Sequence, residues 1–333
     1  MKRISRPLQR RTFLTLLGGA VSVPLLAARA QSPAMPVVGL LEPTSPDTTT
    51  PDRLRAFQQG MATVGFVEGE NVAIEYRWAE NKVERLSALA AGLVRRHVAV
   101  IAAIGGSTPA FAASLETGTI PIVFTVAQDP VKLGLVSSLA KPDRNSTGVF
   151  LPSELPVRRL QYLRELVPAA ARISVLLDPA NAGYAETTLR ELEGVARSDR
   201  LQINVLHASS PAEIDAVFAG FERDRPHAVF VGPFPTDRRV QLALLAALHR
   251  MPASYPWRDF VDAGGLMSYG ASLREAYRQA GVYVGRILKG AKPADLPVVQ
   301  STRYELAINA STARMLGLSL PSSLRASADV MIE

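Results

Sequence analysis

The chain has 333 residues, 47% apolar and 20% charged, with a formal net charge of +7 and no cysteine. It is too apolar for a disordered chain and too mixed for a multi-span membrane protein, and a chain of this length is expected to split into two lobes. Zero cysteine removes disulfides, thiolate metal sites and cysteine nucleophiles, leaving the positive charge as the feature to explain.

The first 30 residues carry Lys2, Arg3, Arg6, Arg10, Arg11 and Arg29 and no acid, and an uncharged run spans Thr12 to Ala28. Ala28-Arg29-Ala30 then supplies small residues around a cleavage point. This is the layout of an export signal, and Arg10-Arg11 before Thr12-Phe13-Leu14 resembles its twin-arginine form, an ordinary secretory signal being the alternative. We expect residues 1–30 to be removed after about Ala30 and the remainder to work in the periplasm. That removal takes six basic residues and no acids, so 31 Lys/Arg then face 30 Asp/Glu. The charge reads as an address, and no nucleic-acid partner is expected.

Strands and helices alternate thereafter. Pro36–Leu41 reads as a buried strand. Thr50-Pro51 opens a helix carried by Leu54, Phe57, Met61 and Val64, and Gly65 closes it. A strand over 72–77, a helix over 86–94 and the wholly apolar strand 98–104 follow, the last as expected of a parallel strand covered on both faces. Next come a helix from Thr108, a strand at 120–125 and a short helix over Val131–Leu139. The second half repeats the pattern, with helices near 155–167, 185–197, 211–221, 238–249 and 271–289 and strands at 173–177, 203–206 and 228–231. Such alternation predicts an α/β protein with two doubly wound Rossmann-like lobes.

Ligands of such sheets bind beyond the carboxyl ends of the strands, so the strand-exit loops hold the candidates. Gly105-Gly106-Ser107-Thr108-Pro109 ends a strand and opens a helix. Its free N–H groups, with the hydroxyls of Ser107 and Thr108, suit a carboxylate; the plainer alternative is that one of the two caps the helix. Asp129, before Pro130, either faces the cleft or caps the segment after it. Asn181 and Tyr184 follow the first strand of the second half, and Phe234 and Thr236 a later one. Tyr255 and Tyr269 stand near two further strand ends. Aromatic side chains there suit an organic ligand with an apolar body, or else pack the lobes together. Trp78 and Trp257 are weaker candidates of the same kind. Arg95-Arg96, Arg158-Arg159 and Arg238-Arg239 read as solvated helix faces. The four His are not spaced for a metal, and no phosphate loop, dinucleotide fingerprint or nucleophile elbow is present, so neither cofactor, metal nor catalytic residue is expected.

Several stretches carry a resemblance. They are Gly65–Asn71 running into Ile74-Glu75-Tyr76, Thr108-Pro109-Ala110, Ile120–Phe124 with Asp129-Pro130, Asn145–Gly148, Arg286–Gly290, Lys292–Pro297 and Tyr304–Asn309. In these the chain resembles the extracytoplasmic substrate-binding proteins of ABC transporters, in the tryptophan/tyrosine-type group, over about Val37 to Leu320. The resemblance implies a type I periplasmic-binding-protein fold with a three-segment hinge, crossing at Gly148–Phe150, around Leu266–Tyr269 and after Pro297. It implies lobes of 36–147 plus about 268–296 and of 150–265 plus about 300–320, with 321–333 as a tail. It also implies capture of a small organic solute by hinge closure, and a permease of an ABC importer as partner. Phe234 stands where relatives often carry an acid, so an aromatic or other carboxylate-bearing compound fits as well as an amino acid. We expect a monomer. An exported α/β hydrolase or a receptor-docking sensor are the alternative readings.

Overall fold

In the computed structural model, residues 35–47, 50–152, 155–179 and 182–333 are described, without the side chains of 182–184 and 236. Residues 1–30, with the expected signal, lie outside them. Two sheets organise the chain.

The first sheet holds β1 (Val37–Glu42), β2 (Ala73–Trp78), β3 (Val100–Ala103), β4 (Ile122–Val126), β5 (Ser146–Phe150) and the two-residue β11 (Val299–Gln300), in the order β11-β5-β4-β3-β1-β2 and parallel throughout. Helices α1 (Thr50–Ala62) and α9 (Leu273–Leu288) cover one face, where Phe57, Met61, Tyr277, Ala280 and Val284 pack on Val38, Leu40 and Val123. Helices α2 (Arg85–Arg95) and α3 (Ser107–Glu116) cover the other, where Leu86, Leu93 and Ala113 meet Leu41, Ile101 and Phe124. Alternate residues of each strand thus serve opposite faces, which is why the strands read as unbroken apolar runs.

The second sheet holds β6 (Arg172–Leu177), β7 (Gln202–His207), β8 (Ala228–Val231), β9 (Ala253–Tyr255), β10 (Met267–Ala271), β12 (Tyr304–Asn309) and β13 (Val330–Ile332), in the order β13-β12-β10-β9-β8-β6-β7. Only the β10–β12 pairing is antiparallel. One face is covered by α4 (Pro156–Leu166), α5 (Ala182–Asp199), α10 (Ala310–Met315) and α11 (Ser322–Ser327), and the other by α6 (Pro211–Gly220), α7 (Arg239–Leu248) and α8 (Arg258–Asp262).

Local signals set the helix starts. Asp47 Oδ1 accepts the Thr50 N–H at 2.9 Å while Thr50 Oγ1 accepts the Asp47 N–H at 2.8 Å, a reciprocal box at the head of α1. Ser210 and Glu213 form the same device at α6, and Ser272 caps α9.

The chain passes between lobes three times: between β5 and α4, β10 and α9, and β11 and β12. Three expectations need correction. Residues 268–271 belong to the second sheet as part of β10, and Tyr269 lies within that strand rather than at its exit. The segment 321–333 is no tail, because Leu324 enters the second core and β13 pairs with β12. Val131–Leu139 is a chain of turns, broken at Gly134 with φ +71°, because a left-handed residue cannot continue a helix.

Candidate solute-binding cleft

The carboxyl ends of the parallel strands in both sheets lead to the space between the lobes. From the first lobe come the head of α1, the 105–108 loop and Tyr277 of α9. From the second come the heads of α7 and α8.

At the 105–108 loop, the N–H of Gly105 donates to Thr125 Oγ1 at 3.0 Å and that of Gly106 to the Thr125 carbonyl at 3.1 Å. The loop is therefore pinned to the end of β4. Gly105 sits at φ +92° and Gly106 at +131°, and no side chain caps α3. Neither Ser107 nor Thr108 acts as the cap; half-buried Ser107 and exposed Thr108 stand at an open helix N-terminus, the positive end of its dipole.

Glu42 ends β1 immediately beside this loop. A Cβ placed on Gly105 would lie 2.7 Å from Glu42 Oε2, so the glycine lets the carboxyl approach. The Tyr277 hydroxyl donates to Glu42 Oε1. Burial pushes the Glu42 carboxyl up to about 7, against the pull of the Tyr277 hydrogen bond and of the Arg53 charge. Burial also holds the Tyr277 phenol well above its ordinary range.

Next to them lies a buried group of charges drawn from both lobes. Asp47 Oδ2 is 2.9 Å from Arg239 Nη1 at the head of α7, and Asp47 Oδ1 is 3.4 Å from Arg53 Nη2 in the first turn of α1. Arg53 Nη1 is 3.8 Å from Asp259 Oδ2 in α8, and its guanidinium stands 5.7 Å from the centre of the Tyr277 ring. Burial pulls the Arg53 pKa down, but Tyr277, Asp259, Glu42 and Asp47 more than offset it. Burial raises the Asp259 carboxyl, with Arg53 opposing.

The sequence reading missed these acids and took Arg238-Arg239 for solvated surface. In fact Arg239 is buried, and so is Arg159, whose guanidinium lies 3.7 Å from the centre of the Phe230 ring. A signal was present: an arginine in the first turn of a helix faces the positive end of the dipole and calls for an anion from elsewhere.

The other candidates fall in different places. Half-buried Asp129 turns its carboxylate inward to its own segment, Oδ1 accepting the Val131 N–H at 2.9 Å. Phe234 and Tyr255 lie in the second lobe's core, with Tyr255 stacked on Phe260 at 5.1 Å and its hydroxyl 3.4 Å from the Leu242 carbonyl. Tyr269 packs edge-on against Tyr162 and stacks on Tyr304. These three are wedged against neighbours of their own lobe or the hinge, because apolar side chains at strand ends pack first on the helices beside them. Asn181 lies outside the described residues, as do the side chains of Tyr184 and Thr236. Trp78 lies parallel to Tyr76, and Trp257 leans on Phe260. Ser107 and Thr108 thus stand as candidates beside a group of neighbouring side chains, Glu42, Tyr277, Arg53, Asp47, Arg239 and Asp259. Among the described residues no group of three His, Asp or Glu is arranged to hold a metal, and no helix is long and apolar enough to cross a membrane.

The family model for ABC transporter substrate binding proteins matches residues 44–332. The chain belongs to this family. Its members bind substrates for transporters and are not enzymes. A tyrosine-binding protein of Clostridioides difficile (strain R20291) is 25% identical over 272 residues, 79% of this chain and 76% of that protein. Among solved structures, the ABC domain from Streptococcus pneumonia in complex with L-Trp matches with a TM-score of 0.76 and 22% identity, over 89% of this chain and 99% of that one. A substrate-binding protein with adhesive properties from Clostridium difficile, in a ligand-free, open form, matches with a TM-score of 0.66 and 20% identity over the same shares. These likenesses agree with the two-lobed α/β architecture of type I periplasmic binding proteins.

Proposed function

We propose that this substrate-binding protein captures an amino acid with an aromatic or bulky apolar side chain and delivers it, from the periplasm, to the permease of an ABC importer. The observation that carries the reading is the adjacency of opposite poles at one strand-end cluster. The open N-terminus of α3, with the hydroxyls of Ser107 and Thr108, offers donors to a carboxylate. The carboxyl of Glu42, against Gly105 in the same loop, offers an acceptor to an ammonium group. Two poles a few ångströms apart match the α-carboxylate and α-ammonium of one amino acid. Glu42 thereby supplies the acid that Phe234 does not. The tyrosine-binding relative and the L-Trp complex support the same solute class. Solute held between the lobes favours the closed arrangement, a shift of population in which the three crossings act as the hinge.

Thermal unfolding in the presence of a panel of amino acids and their deaminated analogues tests the proposal. Solute at 100 times its dissociation constant stabilises the fold by about 2.7 kcal/mol. An aromatic amino acid should raise the melting temperature and its deaminated analogue should do so far less. Equal shifts with both would remove Glu42 from the site, and no shift with any amino acid would sink the assignment.

A further inference from the structure

The outer face of α7 is apolar, where a surface helix ordinarily turns polar residues to solvent. Val240, Leu244 and Leu248 recur every fourth residue and stand 55, 64 and 71% exposed, with exposed Ala247 beside them. Met315 of α10, 70% exposed, continues the patch across a cavity of about 310 Å³ walled by Ala247, Arg250, Thr312, Met315 and Leu316. These outward side chains add nothing to the core, which α7 reaches through Leu242, Ala243 and Ala246. We propose that this patch and the arginines at its rim dock the protein on an anionic lipid bilayer.

Apolar side chains scattered singly on a surface are ordinary, but a contiguous stripe marks a face that another body covers. Charge says which body. Exposed Arg225, Arg250 and Arg314 gather at the carboxyl end of α7: Arg225 donates to the Arg250 carbonyl at 2.9 Å, and Arg314, next to Met315, donates to Ser311 Oγ at 2.9 Å. Among the described residues none of the three is paired with a carboxylate. The stretches 238–258 and 306–328, which build the patch, hold no acid at all. Of the acids on neighbouring segments, Asp215, Asp224 and Asp237 are engaged by Gln241, Arg172 and Arg238, and Glu213 by its own cap, which leaves Glu222 against three arginines. A second copy fits worse. Laying α7 on its own copy sets Arg238 against Arg250 when antiparallel and Arg250 against Arg250 when parallel, so like charges meet either way. A bilayer with acidic headgroups receives both halves of the surface. Its acyl boundary takes Val240, Leu244, Leu248 and Met315, and its phosphates meet the arginines, with Arg250 at the mouth of the cavity. Because α7 begins at the cleft wall with Arg239, docking along this helix sets the cleft beside the membrane in which the proposed permease resides. The surface itself is independent of which solute the cleft takes.

Vesicle flotation tests the proposal. The chain is taken from Gln31 onward, because the apolar run 12–28 would itself enter lipid, and residues 35–333 form one compact unit. Vesicles of phosphatidylglycerol mixed equally with phosphatidylcholine should carry the protein upward, and vesicles of phosphatidylcholine alone should carry far less. Leu244→Gln and Leu248→Gln should each lower the partition about tenfold, since a polar amide then enters the acyl boundary. Arg250→Gln should lower it about fivefold and flatten its fall with added salt. All three side chains are exposed, so cooperative melting should persist. Leu115→Gln on α3, where the leucine is 83% exposed but outside the patch, should change nothing. Equal binding to both vesicles, no binding to either, or an equal loss from Leu115→Gln overturns the proposal. Sedimentation showing a dimer that Leu248→Gln splits would assign the patch to a second copy. Flotation only with vesicles that contain the permease would assign it to a protein partner. Either result also overturns the bilayer as occupant.

Discussion

Glu42 owes its properties to its place at the end of a buried strand. Five residues of β1 are apolar or glycine, and the sixth is a carboxyl that the sheet carries into the cleft wall with 3% exposure. Desolvation raises it to about 7 from an unfolded value of 4.5. The native state therefore holds its proton more tightly than the unfolded chain. Stability from this group is fully present below about pH 4.5 and is lost as pH rises through 7, by on the order of 3 kcal/mol. Glu42→Gln keeps an acceptor for Tyr277 and should flatten the melting temperature over that window, which a pH series by calorimetry reads. Binding should run the opposite way. An ammonium group favours the ionised carboxylate, so affinity for an amino acid should rise by about tenfold in all between pH 6 and 8, most of it below pH 7. Calorimetric titration of the unsubstituted protein should show that rise, and Glu42→Gln should abolish it. At this scale the sequence was read unevenly. Ser107 and Thr108 were put forward because two glycines after a buried strand mark a helix opening, and α3 does begin there. Glu42 was not, because a single acid after an apolar run looks like any strand end. Tyr255 and Phe234 misled because an aromatic at a strand exit is equally suited to the core beneath it.

Helices α1 and α9 approach so closely that backbone meets backbone. A Cβ on Gly60 would lie 1.9 Å from the Arg278 carbonyl oxygen, and one on Gly281 2.0 Å from that of Phe57. Neither obstacle is a flexible side chain, so the helices themselves must separate. Gly281→Ala should destabilise by about 3 kcal/mol or more, a melting temperature lower by several degrees. Gly92, inside α2, is the control: the nearest atom to its Cβ is the far end of Arg95 at 3.9 Å. There alanine should stabilise by about 0.5–1 kcal/mol through helix propensity and a less disordered unfolded chain. Equal effects at the two sites would refute the close crossing. The α9 pattern of Leu273, Ala276, Tyr277, Ala280, Val284 and Ile287 announced a buried helix face. It did not announce the partner, which lies more than two hundred residues earlier in the chain. Helix α9 was legible because its apolar residues keep one period, and the structure adds caps at α6 and α9, Ser210 with Glu213 and Ser272 with Glu275. The 131–139 segment was not, because its apolar residues lack such support and Gly134 turns the chain back on itself.

The whole molecule is interleaved, and this sets what can fold alone. The first lobe takes β1 through β5 from one stretch, then α9 and β11 from another, with most of the second lobe between them. The two-lobe plan was readable from alternating strands and helices, but the assignment of β10, β11 and β13 to sheets was not. Short strands are placed by their neighbours, and those neighbours are distant in sequence. Without α9, the α1 face of the first sheet would leave Val38, Leu40, Val100, Ala102 and Val123 without the cover given by Tyr277, Ala280, Val284 and Ile287. Burying a side chain of that size stabilises by about 1.5–3 kcal/mol, and several such losses exceed the 5–15 kcal/mol by which a domain is stable. A fragment of residues 35–152 should therefore stay unfolded or aggregate, with no cooperative melting by circular dichroism. The same fragment joined through a flexible linker to residues 272–300 should fold and melt cooperatively. If the shorter piece folds by itself, the first lobe is self-sufficient and α9 is only an accessory to it. If neither folds, the second lobe is needed as a platform, and the lobes are coupled in stability as well as in closure.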